Sequence, residues 1–264
     1  MKITLNFEVM RMCLIIFQKN SHPEYKLIVA ANRDEFYERP TASAGFWQDH
    51  PEVLAGRDLS KGGTWLGLTK SGRFAAVTNI RKPGMDGTDK KSRGALVSNY
   101  LTGDIPLEQY LQSLEAEKDE YSGFNLLVGN QNDMYYLNND GISPESVPDG
   151  THGLSNHHLN TPWPKVVKGR SRLEEYLQSE GSIDPDVIFG ILADSEEAED
   201  NLPDTGLPES LERKLSSPFI STPEYGTRSS TVILIDHEDN ATFIERTFSK
   251  GVQTDEQRYS FKIE

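Results

Sequence analysis

The chain is short of cysteine, of positive charge and of long apolar runs. A single cysteine, Cys13, excludes an internal disulfide framework and suits a reducing compartment. Lys and Arg number 27 against 41 Asp and Glu, a formal charge of −14. A surface that negative repels phosphate backbones, so neither nucleic acid nor anionic membrane is expected as a partner, although local basic pockets fit within such a field. No stretch approaches the ~20 consecutive apolar residues that span a bilayer, and no transmembrane segment is expected. Residues 1–8 alternate apolar and polar side chains without an unbroken apolar core, unlike a secretory signal. The expected location is cytoplasmic.

What is present is an ordinary globular composition, 36% hydrophobic, able to fill the core of one large sandwich. No internal repeat or low-complexity tract occurs. Short β-branched or aromatic runs bounded by turn residues predict strands over 13–17, 26–31, 64–69, 73–78, 124–128 and 134–137. A closing set is predicted over 230–235, 241–246 and 259–263, with turns at 138–141 and 237–240. Apolar spacing of three and four predicts helices over 93–101, 107–117, 163–177 and 185–192. Residues 194–200 carry mostly one sign of charge and read as a solvated loop. Strands, then helices, then strands again predict a layered α+β sandwich, and without a linker residues 12–264 form one domain.

Cys13 opens the first strand directly after Met12. If translation begins at Met12, removal of that methionine leaves a thiol and a free α-amine on one residue. The amine, with a pKa of about 7.7–8.0, then takes the thiol proton. While residues 1–11 stay attached, the Cys13 nitrogen is an amide and no base. The plain alternative is an inert thiol in the core, where free cysteine is commonly found.

Several polar segments stand at predicted strand ends. The run 26–31 passes directly into Asn32-Arg33-Asp34-Glu35, which reads either as a turn or ion-paired surface, or as an arginine that lowers a thiol pKa beside a carboxylate that orients an amine. Asn79 and Asn156 end two further strands and are plausible oxyanion donors, and Arg228 precedes another. Each of these alone is also an ordinary strand cap. Gly62-Gly63 fits no phosphate loop and reads as the turn into Thr64.

Met12-Cys13, Asn32-Arg33-Asp34-Glu35, Thr78-Asn79-Ile80-Arg81, Gly153-Leu154-Ser155-Asn156 and Gly226-Thr227-Arg228-Ser229-Ser230-Thr231 occur together in this order. The set resembles the NRDE family, also called Transport and Golgi organisation 2, from Met12 almost to the C-terminus. The resemblance implies a four-layer αββα sandwich of the N-terminal nucleophile hydrolase type. More loosely, the pattern is similar to the bile salt hydrolase and penicillin acylase group. That similarity implies Cys13 as nucleophile and base donor, Arg33 as the thiol-tuning arginine and Asp34 as the amine-orienting aspartate. It further implies Asn79 and Asn156 as the oxyanion and amine-positioning asparagines, and Arg228 as the late arginine. Arg33 adjoins Asp34 more tightly than in that group. Residues 1–11 are an extension relative to the family: a misassigned start, a removable propeptide or an added strand.

Two functions follow from these readings. The first is an N-terminal-cysteine amide hydrolase acting on non-peptide C–N bonds, with no cofactor required. The alternative is a non-catalytic binding or trafficking protein on the same scaffold, handling haem or acyl lipid, with a part in secretion and Golgi organisation in eukaryotic relatives. The expected partner is thus a small-molecule amide, an acyl lipid or haem. Cys13, His152, His157 and His158 offer axial haem ligands under the alternative. A metal site is not expected, because His157 and His158 are adjacent and point to opposite faces if the chain is extended there.

Overall fold

Strands β1 (Cys13–Lys19) and β2 (Tyr25–Phe36) show how the layers arise. Successive side chains leave opposite faces of a strand. Ile15, Phe17, Val29 and Ala31 enter one apolar cluster, while Leu14, Ile16, Ile28 and Ala30 enter another. With both faces covered, these strands read as continuous apolar runs rather than alternating ones. The computed structural model describes residues 12–82, 90–179 and 181–264. The extension expected at residues 1–11 lies outside the described residues.

Strands β3 (Thr41–Phe46), β4 (Val53–Asp58), β5 (Leu66–Thr69), β6 (Phe74–Asn79), β7 (Phe124–Gly129), β8 (Met134–Asn138) and β9 (Glu145–Ser146) form a seven-stranded sheet in chain order. With β10 (Gly150–Leu154), β11 (Tyr225–Asp236), β12 (Asn240–Ser249) and β13 (Val252–Lys262), the first two strands form a six-stranded sheet ordered β10-β1-β2-β11-β12-β13. The pairings within both sheets are antiparallel. Helices α1 (Arg93–Thr102) and α2 (Leu107–Glu117) cover the outer face of the seven-stranded sheet. Helices α3 (Pro164–Leu177), α4 (Pro185–Leu192) and α5 (Glu209–Lys214) cover the six-stranded one. The chain is an α+β protein with a four-layer αββα sandwich, its central core pressed between the sheets.

Local chemistry explains the connections. In the β11–β12 turn, Asp236 Oδ1 accepts from Glu238 N and Asn240 N at 2.9 and 2.8 Å, and Asp239 takes the left-handed φ of 68°. Asn138 Oδ1 does the same for Asp140 N and Ile142 N after β8. Gly62 has φ +77°, and a Cβ on Gly63 would press on the backbone of Gly94. The glycine pair thus makes the expected turn and lets it lie against the first turn of α1. The loop after α4 is irregular as expected, although Asp194 within it binds Lys168 and Arg172.

The structure departs from expectation in four strands and one helix. β3, β4, β9 and most of β10 carry too many small, charged or glycine residues to read as strands. In β10 glycine is required, since a Cβ on Gly153 would meet the Val166 and Arg170 side chains of α3. Helix α5 spans only six residues. β2 also runs five residues beyond its predicted end at 31, to Phe36. Asn32-Arg33-Asp34-Glu35 is therefore not a turn but the polar half of a central strand. Its partner in the ladder is the equally polar stretch of β11 from Thr227 to Ser230.

Candidate active site

The polar half of β2 sends alternate side chains to two layers. Asn32 and Asp34 continue the helix-side face of Ile28 and Ala30, and Arg33 and Glu35 continue the inter-sheet face of Val29 and Ala31. Asn32 is spent on structure: its Nδ2 donates to Leu192 O and Pro218 O at 2.9 and 2.8 Å, and its Oδ1 accepts from Ser230 Oγ. Arg33 lies 3.5 Å from Glu35, which also faces Arg39.

Between the sheets, at the end where β1 begins, lies a cleft of about 460 Å³. Cys13, Arg33, Asp34, Asn79 and Arg228 line it. Asn156 is held one step behind: its Oδ1 accepts from Cys13 N at 3.2 Å, and its Nδ2 donates to Asn79 O at 3.0 Å. The six expected site residues therefore converge, from β1, β2, β6, the end of β10 and β11. Arg228 is partly committed, its Nη1 donating to the carbonyls of Phe36, Tyr37 and Arg39 and so fixing the chain that leaves β2.

Charge in the cleft opposes that of the whole chain. Eight lining residues are Arg or Lys and four are Asp or Glu, against −14 overall. Of the carboxylates, Glu245 on β12 is buried and accepts from Ala44 N at 2.6 Å; burial pushes it up to about 7. Burial first, and then Asp34, push the Cys13 thiol up to about 12, with Arg33 opposing. Burial pushes Asp34 up to about 6, chiefly opposed by Lys165.

Met12 occupies the far side of Cys13. It is 1% exposed. Its nitrogen donates to the Tyr225 hydroxyl at 2.6 Å, and its carbonyl accepts from Asp34 N at 3.1 Å. Beneath it lies the buried ion pair of Arg81 and Glu212, at 2.9 Å.

The family follows from comparison. The sequence profile of Transport and Golgi organisation 2 matches residues 12–250. The chain belongs to this family. The Transport and Golgi organization protein 2 homolog of Bos taurus is 38% identical over 258 residues, covering 89% of this chain and 93% of the bovine protein. The Homo sapiens homolog is 37% identical over 259 residues with the same coverage. Among solved structures, a mutant conjugated bile acid hydrolase from Clostridium perfringens superposes with a TM-score of 0.50 at 10% identity, over 96% of this chain and 92% of that one. That likeness shows the fold, the N-terminal nucleophile hydrolase sandwich.

Within this family member, the histidines considered for haem lie elsewhere. None of His152, His157 and His158 lines the cleft. His152 contacts Pro148 O and Asn160, and His158 contacts Asp140. His157 and His158 do not point apart: their rings lie 4.6 Å from each other, because the chain bends after β10 instead of continuing extended. Among the described residues no helix is long and apolar enough to cross a membrane.

Sequence reasoning missed Lys165, Glu245 and the Arg81–Glu212 pair. Glu245 had a legible signal, standing two residues after the core residue Phe243 on the inward face of β12. Lys165 stands four residues before Gly169 on the buried face of α3, but a lysine at a helix start normally reads as solvent-facing.

Proposed function

We propose that this protein, in a form beginning at Cys13, hydrolyses a small-molecule amide whose acyl or amine part carries an anionic group. The observation that supports this reading most is the convergence on Cys13. Asn156 holds its nitrogen, Arg33 and Asp34 flank it in the neighbouring strand, and the thiol lines a cleft rich in cations. With Met12 gone, the nitrogen is an amine that takes the thiol proton. The thiolate attacks the carbonyl carbon, and an asparagine amide such as that of Asn79 stabilises the oxyanion. The C–N bond then breaks as the ammonium returns its proton to the leaving amine. Water cleaves the thioester and restores the thiol. The basic lining favours an anionic substrate because a fixed cation in a partly desolvated cleft acts at reduced dielectric.

The test is a panel of N-acyl amides, with and without a carboxylate or phosphate, offered to a chain prepared to begin at Cys13. Amine release that falls about 10³-fold or more in Cys13→Ser, with the fold intact, is the expected result. No turnover on any amide removes the reading.

A second reading is favoured by a specific observation on the chain that retains Met12. There the Cys13 nitrogen is a buried amide and the thiol is pushed up to about 12, so neither a base nor a thiolate is available. Such a chain binds in the cleft without turning over, with an acyl lipid or haem as ligand. Visible absorbance on haem titration, lost on Cys13→Ala, distinguishes it.

A further inference from the structure

Lys165 has a position that the hydrolytic scheme leaves unused. It follows Pro164 in the first turn of α3, is 1% exposed, and its Nζ has no hydrogen-bond partner among the described residues. Gly169 explains the depth: a methyl there would overlap Ile16 Cδ1, so its absence lets α3 settle onto β1. A second buried atom nearby is also orphaned. Asp34 Oδ1 accepts from Thr227 Oγ1 at 2.7 Å, but Oδ2 has no partner. The pair are charges of opposite sign, both buried, and no ion pair joins them directly.

Met12 accounts for the arrangement. Its main chain takes up Asp34 N and the Tyr225 hydroxyl, and its Sδ lies 3.3 Å from Arg81 Nη1. A chain that begins at Cys13 lacks these atoms. Asp34 N–H and the Tyr225 hydroxyl are then vacated, and the Cys13 nitrogen becomes an α-ammonium in the strand beside Asp34.

We propose that Lys165 is the positioning residue for the Cys13 amine: its charge keeps Asp34 a carboxylate, and that carboxylate holds the amine over the thiol. This rests on the N-terminal amine reading above. The charged and titratable groups that act on Lys165 are Cys13 on β1, Asp34 on β2, Arg81 after β6 and Glu212 on α5, with Tyr225 on β11 beside Asp34 and Cys13. Burial pushes Lys165 down to about 8, and Asp34 is the chief opposing influence. In return Lys165 is the strongest influence holding Asp34 down against its own burial. Loss of the lysine charge moves both Asp34 and the α-amine towards their protonated forms. While Asp34 stays ionised, the same loss leaves the Cys13 thiol beside that carboxylate with one cation fewer, which raises the pH at which the thiol becomes reactive.

The experiment follows iodoacetamide alkylation of Cys13 against pH in chains prepared to begin at Cys13. Lys165→Met is expected to move the midpoint up by about one unit, about tenfold slower alkylation below it. Lys165→Arg, which keeps the charge, is expected to leave the midpoint in place. A role confined to packing lowers the melting temperature without moving the midpoint, so a Lys165→Met profile that coincides with wild type overturns the proposal. The wild-type chain beginning at Met12 is run alongside. If it alkylates with the same profile as the chain beginning at Cys13, the amine reading itself has failed. If the two differ and Lys165→Met matches wild type, only the role of Lys165 has failed. Should Lys165→Met not fold, Lys165→Gln, neutral but polar, carries the same expectation of a raised midpoint, and a profile that coincides with wild type overturns the proposal.

Discussion

The two outer layers of the sandwich are built on different rules. Between α1, α2 and the seven-stranded sheet, the buried side chains are aliphatic and aromatic, and the buried tyrosine hydroxyls of the helices bond to nearby carbonyls. Tyr100 donates its hydroxyl to Gly129 O, and Tyr110 to Leu96 O. Between α3, α4, α5 and the six-stranded sheet, an equally apolar cluster is interrupted at one end by Asp34, Arg81, Lys165 and Glu212, all buried. Among the described residues, no Asp, Glu, Lys or Arg is buried in the α1–α2 layer to match them. Buried charge is costly unless paired, so its presence in one outer layer, behind Cys13, and not in the other points to use there, not to stability.

The sharpest way to break the contrast is to remove half of the buried ion pair. Arg81→Met leaves Glu212 without its charge partner at 2.9 Å and is expected to cost about 3–5 kcal/mol in urea unfolding. Arg81→Met with Glu212→Leu is expected to recover most of that, because the uncompensated charge is gone. If the single variant is no less stable than wild type, the pair is not what holds α5 against the end of β6. In the other layer, Leu96→Ala is expected to cost about 3 kcal/mol through its cavity, equally at every pH, and to leave Cys13 alkylation unchanged.

A smaller effect separates the layers by pH. Asp34 is raised to about 6 and Glu245 to about 7, both by burial. A raised carboxylate means that the folded state binds more protons than the unfolded one between about pH 4 and its folded pKa. The stability it contributes is therefore complete below about pH 4 and lost as pH rises through about 6 for Asp34 and about 7 for Glu245. Asp34→Asn is expected to remove its share of this decline, on the order of 2 kcal/mol between pH 4 and 7, while abolishing amide turnover. Melting temperatures across that range test it; a decline as steep as that of wild type contradicts the assignment.

The same contrast explains which parts of the molecule were legible from sequence. α2 and α4 matched their predicted bounds, since each has a clean apolar stripe behind a proline near the start. β1 was legible because both of its faces are buried. The polar half of β2 was not. Propensity and polarity there speak of a turn, and pairing with the polar stretch of β11, far along the chain, and with the start of β1 makes it a strand. The residues of the candidate site came from the ordered motifs, not from local patterning, and the structure gathers all six about one cleft. Lys165 lay beyond both routes, because a buried lysine is recognised by what surrounds it and not by its neighbours in sequence.

The finest distinction concerns how α3 carries Lys165 to its place. Gly169 lies against Ile16, and Gly153 of β10 lies against Val166 and Arg170, so small residues on both elements let helix and sheet approach closely. Gly169→Ala introduces one methyl at that contact. The Ile16 side chain is flexible at its end, so the expected cost is modest, about 1 kcal/mol of net stability after the helix-propensity gain of alanine over glycine. The consequence for the site is more specific. A helix lifted from β1 carries Lys165 away from Asp34, and the alkylation midpoint of Cys13 is expected to rise, in the direction of Lys165→Met but by less. The equivalent overpacking in the other layer, Ala75→Val on the outer face of β6, is expected to cost stability without moving that midpoint. If both substitutions leave the midpoint alone, the closeness of α3 to β1 serves packing only, and the two outer layers differ less than their buried charges suggest.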